Sequence, residues 1–243
     1  MTHDTYVHLE HDGKLLLVDS EGKGPQIPIK GRVNPEGNEW LMRLPTSSEI
    51  KLMGINWSEK DVFILNIGNS SIRVIKGHPE IEWPEKWAWK DDVISDSAVH
   101  PAARESVYRS IHRLVSKVVI ENEKNEILMA KVKRGHFTGF WTLPGGYLDH
   151  NEHPQIGAAR EAMEELGIKI KINSNNSSIV SQKIFTDEGI SFVSFTYLVK
   201  INSENLEFKL KKDEIEEIKW FNKTEAIKSA SSWFDSEAIK NLI

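Results

Sequence analysis

From Gly146 to Ile168 the chain reads GYLDHNEHPQIGAAREAMEELGI, and the spacing of its charged and glycine positions decides the reading of the whole carboxy-terminal half. Gly146 is followed by five residues, Glu152, seven residues, and then Arg160-Glu161-Ala162-Met163-Glu164-Glu165-Leu166-Gly167-Ile168. Pro154 suits the first turn of a helix, where its missing N–H is no loss. Gly167 is a natural stop, since glycine tolerates the left-handed conformation that ends helices. Between them Ile156, Ala159, Met163 and Leu166 recur at helical spacing, and this face is expected to pack inward. Glu161, Glu164 and Glu165 fall on roughly the opposite face, with Gly157 and Ala158 leaving that face sterically open. Like charges three or four residues apart cost about 0.2–0.5 kcal/mol per pair. A divalent cation would relieve that cost, because hard oxygen ligands are what magnesium takes. The alternative reading of an isolated E-x-x-E-E run is a solvated acidic face, and the surrounding residues decide against it.

Those residues, with Leu143-Pro144-Gly145-Gly146 leading in, match G-x5-E-x7-R-E-U-x-E-E-x-G-U, where U is apolar. All seven single-residue positions agree, and only Ala162 is smaller than usual. With roughly 5–10% usage per residue type, chance agreement in one frame is on the order of one in a hundred million. The chain therefore resembles the Nudix hydrolases, which use magnesium or manganese to cleave nucleoside diphosphates linked to a further group. The resemblance implies an α+β fold, an α/β/α sandwich around a mixed sheet. It also implies that Glu161, Glu164 and Glu165 hold Mg2+ or Mn2+ with the backbone carbonyl of Gly145. Glu161 or Glu164 is the implied catalytic residue that orients or deprotonates water, and Glu214 and Glu217 are candidates for a base or ligand outside the box. Gly146, Glu152 and Arg160 are implied to fix the box loop on its helix.

Composition narrows the rest. The 243 residues include no cysteine, which excludes disulfides, cysteine–zinc sites and a cysteine nucleophile. A net charge of −5 argues against general nucleic-acid binding, while leaving room for a small phosphorylated nucleotide. No run of eighteen apolar residues marks a membrane span. The opening MTHDTYVHLEHDG lacks the basic start and apolar stretch of a secretion signal, so a cytoplasmic setting is expected.

Two domains are expected: residues 1–98, smaller and β-rich, and residues 99–243, a linking helix followed by the Nudix unit. Tyr6 to Leu9, Asp12-Gly13 and Leu15 to Val18 read as a hairpin, and Asp61–Leu65 and Ser71–Ile75 repeat the pattern around Asn69. Pro79, Pro84 and Pro101 punctuate a connector holding Trp83, Trp87 and Trp89, which are too apolar to be free and read as buried, or alternatively as a platform for a base. Ala102 to Val115 reads as helix. Further on, Val118–Ile120, Ile127–Ala130, Trp141–Leu143, Ile168–Ile172, Ile179–Phe185, Ile190–Val199 and Ile215–Phe221 read as strands. Asn173 to Ser178 reads as a loop. Thr224 is expected to cap a helix through Ala230, and Ser236–Ile243 to form a last one.

Lys131 and Lys133 alternate along one strand face, with Arg134 next, and these three are candidates to hold the diphosphate. His136, His150 and His153 flank the box loop and read more readily as polar loop residues than as ligands. Phe185, Phe192, Phe195 and Tyr197 include candidates for stacking on a base. The expected reaction is hydrolysis of an ADP-ribose-like compound, a nucleotide sugar or a nucleoside triphosphate. A nucleotide-sensing module without turnover is the alternative, disfavoured by a box that keeps every charged position. The amino-terminal domain is open to three roles: completing the substrate pocket, supplying a homodimer contact, or recruiting a partner.

Overall fold

The computed structural model describes residues 4–37, 39–135, 137–184, 190–204 and 206–243, with Ile184 described by its backbone alone. The chain divides into two compact units, Met1–Ile111 and His112–Ile243.

The first unit contains β1 (Thr5–His11), β2 (Lys14–Leu15), β3 (Val18–Asp19), β4 (Met42–Arg43), α1 (Ser47–Leu52), β5 (Trp57–Ile67), β6 (Ser70–Pro79), β7 (Ala88–Trp89), α2 (Lys90–Ser95) and α3 (Pro101–Tyr108). Its main sheet has the order β5-β6-β1-β2-β7, and β3 pairs with β4. Both expected hairpins are present. Asp12 and Gly13 take positive φ at the tip of the first, and β5 and β6 pair antiparallel from Trp57↔Pro79 to Ile67↔Ser70. Strand alternation sends apolar residues to two faces. One core gathers Leu15, Leu17, Leu65, Ile72 and Val74 with Ala102, Ala103 and Val107, while the other gathers Val7, Leu9, Ile50, Ile75 and Trp87.

Three expectations for this half change. The helix expected from Ala102 to Val115 stops at Tyr108, and its buried residues belong to the core of the first unit, so the division falls near residue 111 rather than 98. From His112 the chain is strand, because ten consecutive pairings with a distant parallel strand outweigh local helical character. Of the three connector tryptophans only Trp87 is buried, while Trp83 and Trp89 stay 50% and 49% exposed. Those two rings flank Lys14, whose Nζ lies 5.0 and 4.9 Å from their centroids and donates to the carbonyls of Pro84 and Glu85.

Beneath α3 lies a buried polar chain. His8 is fully buried, with Nδ1 2.8 Å from Ser106 Oγ and Nε2 2.9 Å from Glu10 Oε2, and Glu10 Oε1 accepts from Lys90 at 2.8 Å. Burial pushes the His8 pKa below its usual 6.5. Burial would raise the Glu10 carboxyl, but its bonds to His8 and Lys90 outweigh that and hold it at about 2. Both folded pKa values are therefore below their unfolded values, so both contributions are complete above pH 6.5 and are lost on acidification. The His8 contribution falls away first, below 6.5, and that of Glu10 between 4.5 and about 2. Thermal melts of the full chain should show this unit weakening steadily over that window, and His8→Asn should flatten the upper part. An unchanged slope in that variant contradicts the assignment.

The second unit contains β8 (His112–Glu121), β9 (Glu126–Val132), β10 (Trp141–Thr142), β11 (Gly145–Tyr147), α4 (Pro154–Leu166), β12 (Ser178–Ile184), β13 (Ser191–Lys200), β14 (Ile215–Asn222), α5 (Lys223–Ser229) and α6 (Trp233–Leu242). The described strands form a seven-stranded mixed sheet with the path β10-β9-β8-β13-β12, β11 pairing with β8 and β14 with β9. β8 and β13 run parallel, and the other pairs are antiparallel. One face carries Val118, Ile120, Leu128 and Ala130 against Ala162 and Leu166 of α4. The other carries Val119, Ile127 and Met129 against Ala226, Ala238 and Ile239 of α5 and α6. This is the α+β sandwich expected from the resemblance.

Ile168 to Ile172 does not form a strand; Ile168 is buried against the α4 face as irregular chain, with Ile170 and Ile172 packed beside it. Asn222, not Thr224, caps α5, and α6 starts earlier than expected, behind the Ser232 cap. Phe185, at the end of the expected β12, lies outside the described residues. No helix among the described residues is long and apolar enough to cross a membrane.

Candidate active site

β8 and β9 pair only at Glu121↔Ile127 and then diverge. Into that fork comes the segment Trp141–Tyr147, with β10 on β9 at Trp141↔Lys131 and β11 on β8 at Gly145↔Lys117. The close pairing of β11 demands glycine. At Gly145 a Cβ would stand 2.3 Å from the Ser116 carbonyl oxygen and 2.6 Å from Lys117 Cα, both fixed backbone. At Gly146 a Cβ would stand 2.7 and 2.9 Å from the two Glu161 oxygens, so the bare glycine leaves the carboxylate its place under the loop.

α4 runs below this loop, capped by the His153 side chain with Pro154 in its first turn and Gly167 left-handed at its end (φ 72°). Its inward face differs from the expected one. Ile156 and Met163 are 63% and 43% exposed, while Gly157, Ala158, Ala162 and Leu166 are buried. Gly157 is not an opening beside the carboxylates but a point of close packing, where a Cβ would meet Leu148, Ser116 Oγ and Glu152 within 2.5–2.8 Å. Small residues bring the helix close to the sheet, and this turns Glu161 and Glu165 inward beneath the glycine loop.

The carboxylates occupy distinct settings. Glu165 Oε2 accepts from Gly145 N–H at 3.1 Å, and burial, with Glu161 and Glu214 nearby, pushes its carboxyl up to about 8. Burial also raises the Glu161 carboxyl, against the opposing effect of Arg160. Glu164 is half exposed. Arg160 binds Glu152 through Nε and Nη2 at 2.9 Å each, the Tyr147 carbonyl at 3.0 Å, Glu161 at 2.8 Å and Glu164 at 3.3 Å. Glu152, whose pKa Arg160 lowers, also accepts from Asp149 N–H at 3.2 Å. Loop and helix are thereby tied together through one guanidinium.

Among the described residues no group of three or more His, Asp or Glu side chains is arranged to hold a metal ion as it stands, and Glu161 and Glu164 both bond Arg160. The donor set nevertheless fits a hard divalent cation. Glu161 lies under a loop with no side chain in its way, and Glu165 is a buried carboxyl with an anionic neighbour.

Over the glycine loop is a cavity of about 400 Å³ lined by Lys117, Arg134, Gly145, Gly146 and Glu165 on its polar side. Its apolar side includes Phe137, Tyr147, Phe192 and Phe234, with the Tyr147 and Phe192 rings 5.9 Å apart. A smaller recess of about 320 Å³ joins Glu165 to Arg134 and Glu214.

Not every candidate comes here. Lys131 pairs with Glu216 and Glu217, and Lys133 donates to the Lys212 carbonyl, so neither lines the cavity. Arg134 does line it, while paired with Glu214 and Asp213. Glu214 borders the recess and Glu217 does not. Phe192 is a wall residue, unlike Phe195 and Tyr197. His153 caps α4, His150 is an exposed loop residue, and His136 lies outside the described residues. Lys117, Tyr147, Phe234 and Asp235 escaped the sequence reading. A lysine amid the apolar run of β8 was the one local signal for the first.

The second unit is thus a mixed sheet split by a glycine loop, beside a helix bearing three glutamates. The sequence model of the NUDIX domain matches residues 111–242, more than half of the chain, and the chain belongs to the Nudix hydrolase family. It is 29% identical over 146 residues to Nudix hydrolase 6 of Arabidopsis thaliana, covering 59% of this chain and 47% of that protein. It is 33% identical over 57 residues to an 8-oxo-dGTP diphosphatase of Proteus vulgaris, covering 24% and 51% of the two chains. The chain thus spans about half the length of these curated relatives. Among solved structures, a MutT NUDIX hydrolase from Burkholderia pseudomallei aligns at a TM-score of 0.46 with 26% identity, over 55% of this chain and 99% of that one.

Proposed function

We propose that the chain is a metal-dependent pyrophosphohydrolase that cleaves a nucleoside diphosphate joined to another moiety by attack of water on phosphorus. The observation that carries this reading is the placement of two carboxylates at the glycine loop: Glu165, which lines the 400 Å³ cavity and bonds Gly145 N–H, and Glu161, beside Gly146. In this reading Glu161, Glu164, Glu165 and the Gly145 carbonyl hold Mg2+ or Mn2+. The cation, when bound, neutralises charge on the phosphate oxygens. Glu161 or Glu164 orients the attacking water and takes its proton, with Glu214 beside the recess as a further candidate base. Arg134 meets the diphosphate at the rim, and the Tyr147–Phe192 wall accepts a flat, apolar group such as a base. ADP-ribose-like compounds, nucleotide sugars and nucleoside triphosphates all fit this division. The partial match to an 8-oxo-dGTP diphosphatase supports the last of these.

A panel of such compounds, incubated with purified protein and magnesium or manganese, tests the reading through its products. NMP with a phosphorylated remainder identifies cleavage within a diphosphate linkage, and NMP with pyrophosphate identifies a triphosphate substrate. Chelation should abolish turnover and added metal should restore it; full activity in excess chelator contradicts the mechanism. Binding without turnover on any compound would mark a nucleotide-sensing domain instead.

A further inference from the structure

Lys117 sits in the middle of β8, on the face that also carries Val115 and Val119, and it is buried. Its Nζ donates to both oxygens of Asp235, at 2.6 and 2.7 Å, and lies 5.6 Å from the centroid of the Phe234 ring. Asp235 is fully buried as well. It accepts from Leu143 N–H at 3.1 Å, and its own N–H donates to Ser232 Oγ at 3.2 Å.

Such a pair is a poor device for stability alone. Two charges taken out of water carry a desolvation penalty that their attraction only partly repays, and apolar replacements of similar volume are often neutral or stabilising. Its location offers a different reason for it. Lys117 lines the same cavity as Gly145, Gly146, Glu165 and Arg134, and it is the direct strand partner of Gly145. The ammonium has three donors, and the two Asp235 contacts leave one N–H for a ligand. Of the cavity's two cationic side chains, Arg134 is mostly exposed at the rim and engaged by Glu214, whereas Lys117 is held in a fixed, desolvated place.

We propose that Lys117 contacts a phosphate of the bound substrate directly, and that Asp235 and Phe234 are positioning residues that aim its ammonium into the cavity. This rests on the hydrolase reading above and adds to it a phosphate-binding residue on β8. Asp235 holds the Lys117 ammonium in its orientation while the cavity is free. An arriving phosphate then meets a donor that needs no rearrangement, in a setting where charge-assisted bonds are strong.

The test separates this role from a structural one. K117M/D235N removes both charges while keeping volume and leaving an acceptor for Leu143 N–H. Its melting temperature should stay close to that of the unaltered protein. Its Kd for α,β-methylene-ADP with magnesium, by calorimetry, and its KM for the best panel substrate should both rise at least tenfold. A folded double variant with unchanged Kd and KM overturns the proposal. A second measurement needs no folded variant: in protein carrying labelled lysine, the Lys117 ammonium resonance should shift when α,β-methylene-ADP is added. A resonance that ligand saturation leaves unmoved overturns it equally. If the unaltered protein neither binds the analogue nor hydrolyses any panel compound, the hydrolase reading fails and this proposal with it. An active protein whose double variant is unaffected removes only the role of Lys117.

Discussion

Glu165→Gln is expected to abolish most turnover while leaving the protein folded, and Glu161→Gln to do the same. Loss of a positioned acid–base group costs about 10²–10⁴-fold in rate, and removal of one charge from a three-carboxylate site should fall in that range. Stability should move little in either variant, and for Glu165 it should hold or rise without metal. Burial already pushes that carboxyl up to about 8, so a neutral amide of the same shape relieves a desolvation penalty. Kinetics beside circular dichroism and thermal melting separate the two effects. Near-normal kcat in both variants would remove these glutamates from the site.

The largest stability effect is expected at Asp235→Ala. This substitution leaves the Lys117 ammonium buried without a counter-charge and the Leu143 N–H without its acceptor. Breaking a buried pair from one side costs roughly 3–5 kcal/mol, a large share of the stability of an ordinary domain. Denaturant titration of the full chain, following a probe in the second unit, should show this loss. A change under about 1 kcal/mol would mean that water or another group compensates the lysine.

The box spacing carried the architecture because it encodes local geometry: a proline that begins a helix, a glycine that ends it, and glycines where β11 meets β8. Hairpins around Asp12-Gly13 and Asn69 were legible for the same reason. The inward face of α4 was not. Reading Ile156 and Met163 as core assumes that burial follows apolarity, whereas this helix approaches the sheet through Gly157, Ala158 and Ala162 and brings its acids in with it. Ile168 to Ile172 has strand composition but fills the core as irregular chain, since strand formation depends on a partner that local sequence does not name. The same limit hid the Lys117–Asp235 pair, whose members are 118 residues apart. Lys131 and Lys133 had the right alternation, but their ion pair and hydrogen bond partners lie on a segment some 80 residues later.

Solvent labelling tests the central claim most directly. Hydrolysis of the best panel substrate in H2¹⁸O with magnesium, followed by mass spectrometry of the products, reports which bond water attacks. Water attack on phosphorus in the phosphoanhydride predicts one ¹⁸O in a phosphoryl group of a product, with formation of that product abolished by chelator and in Glu161→Gln. Label on carbon, or label appearing equally in chelator and in Glu161→Gln, would contradict the account.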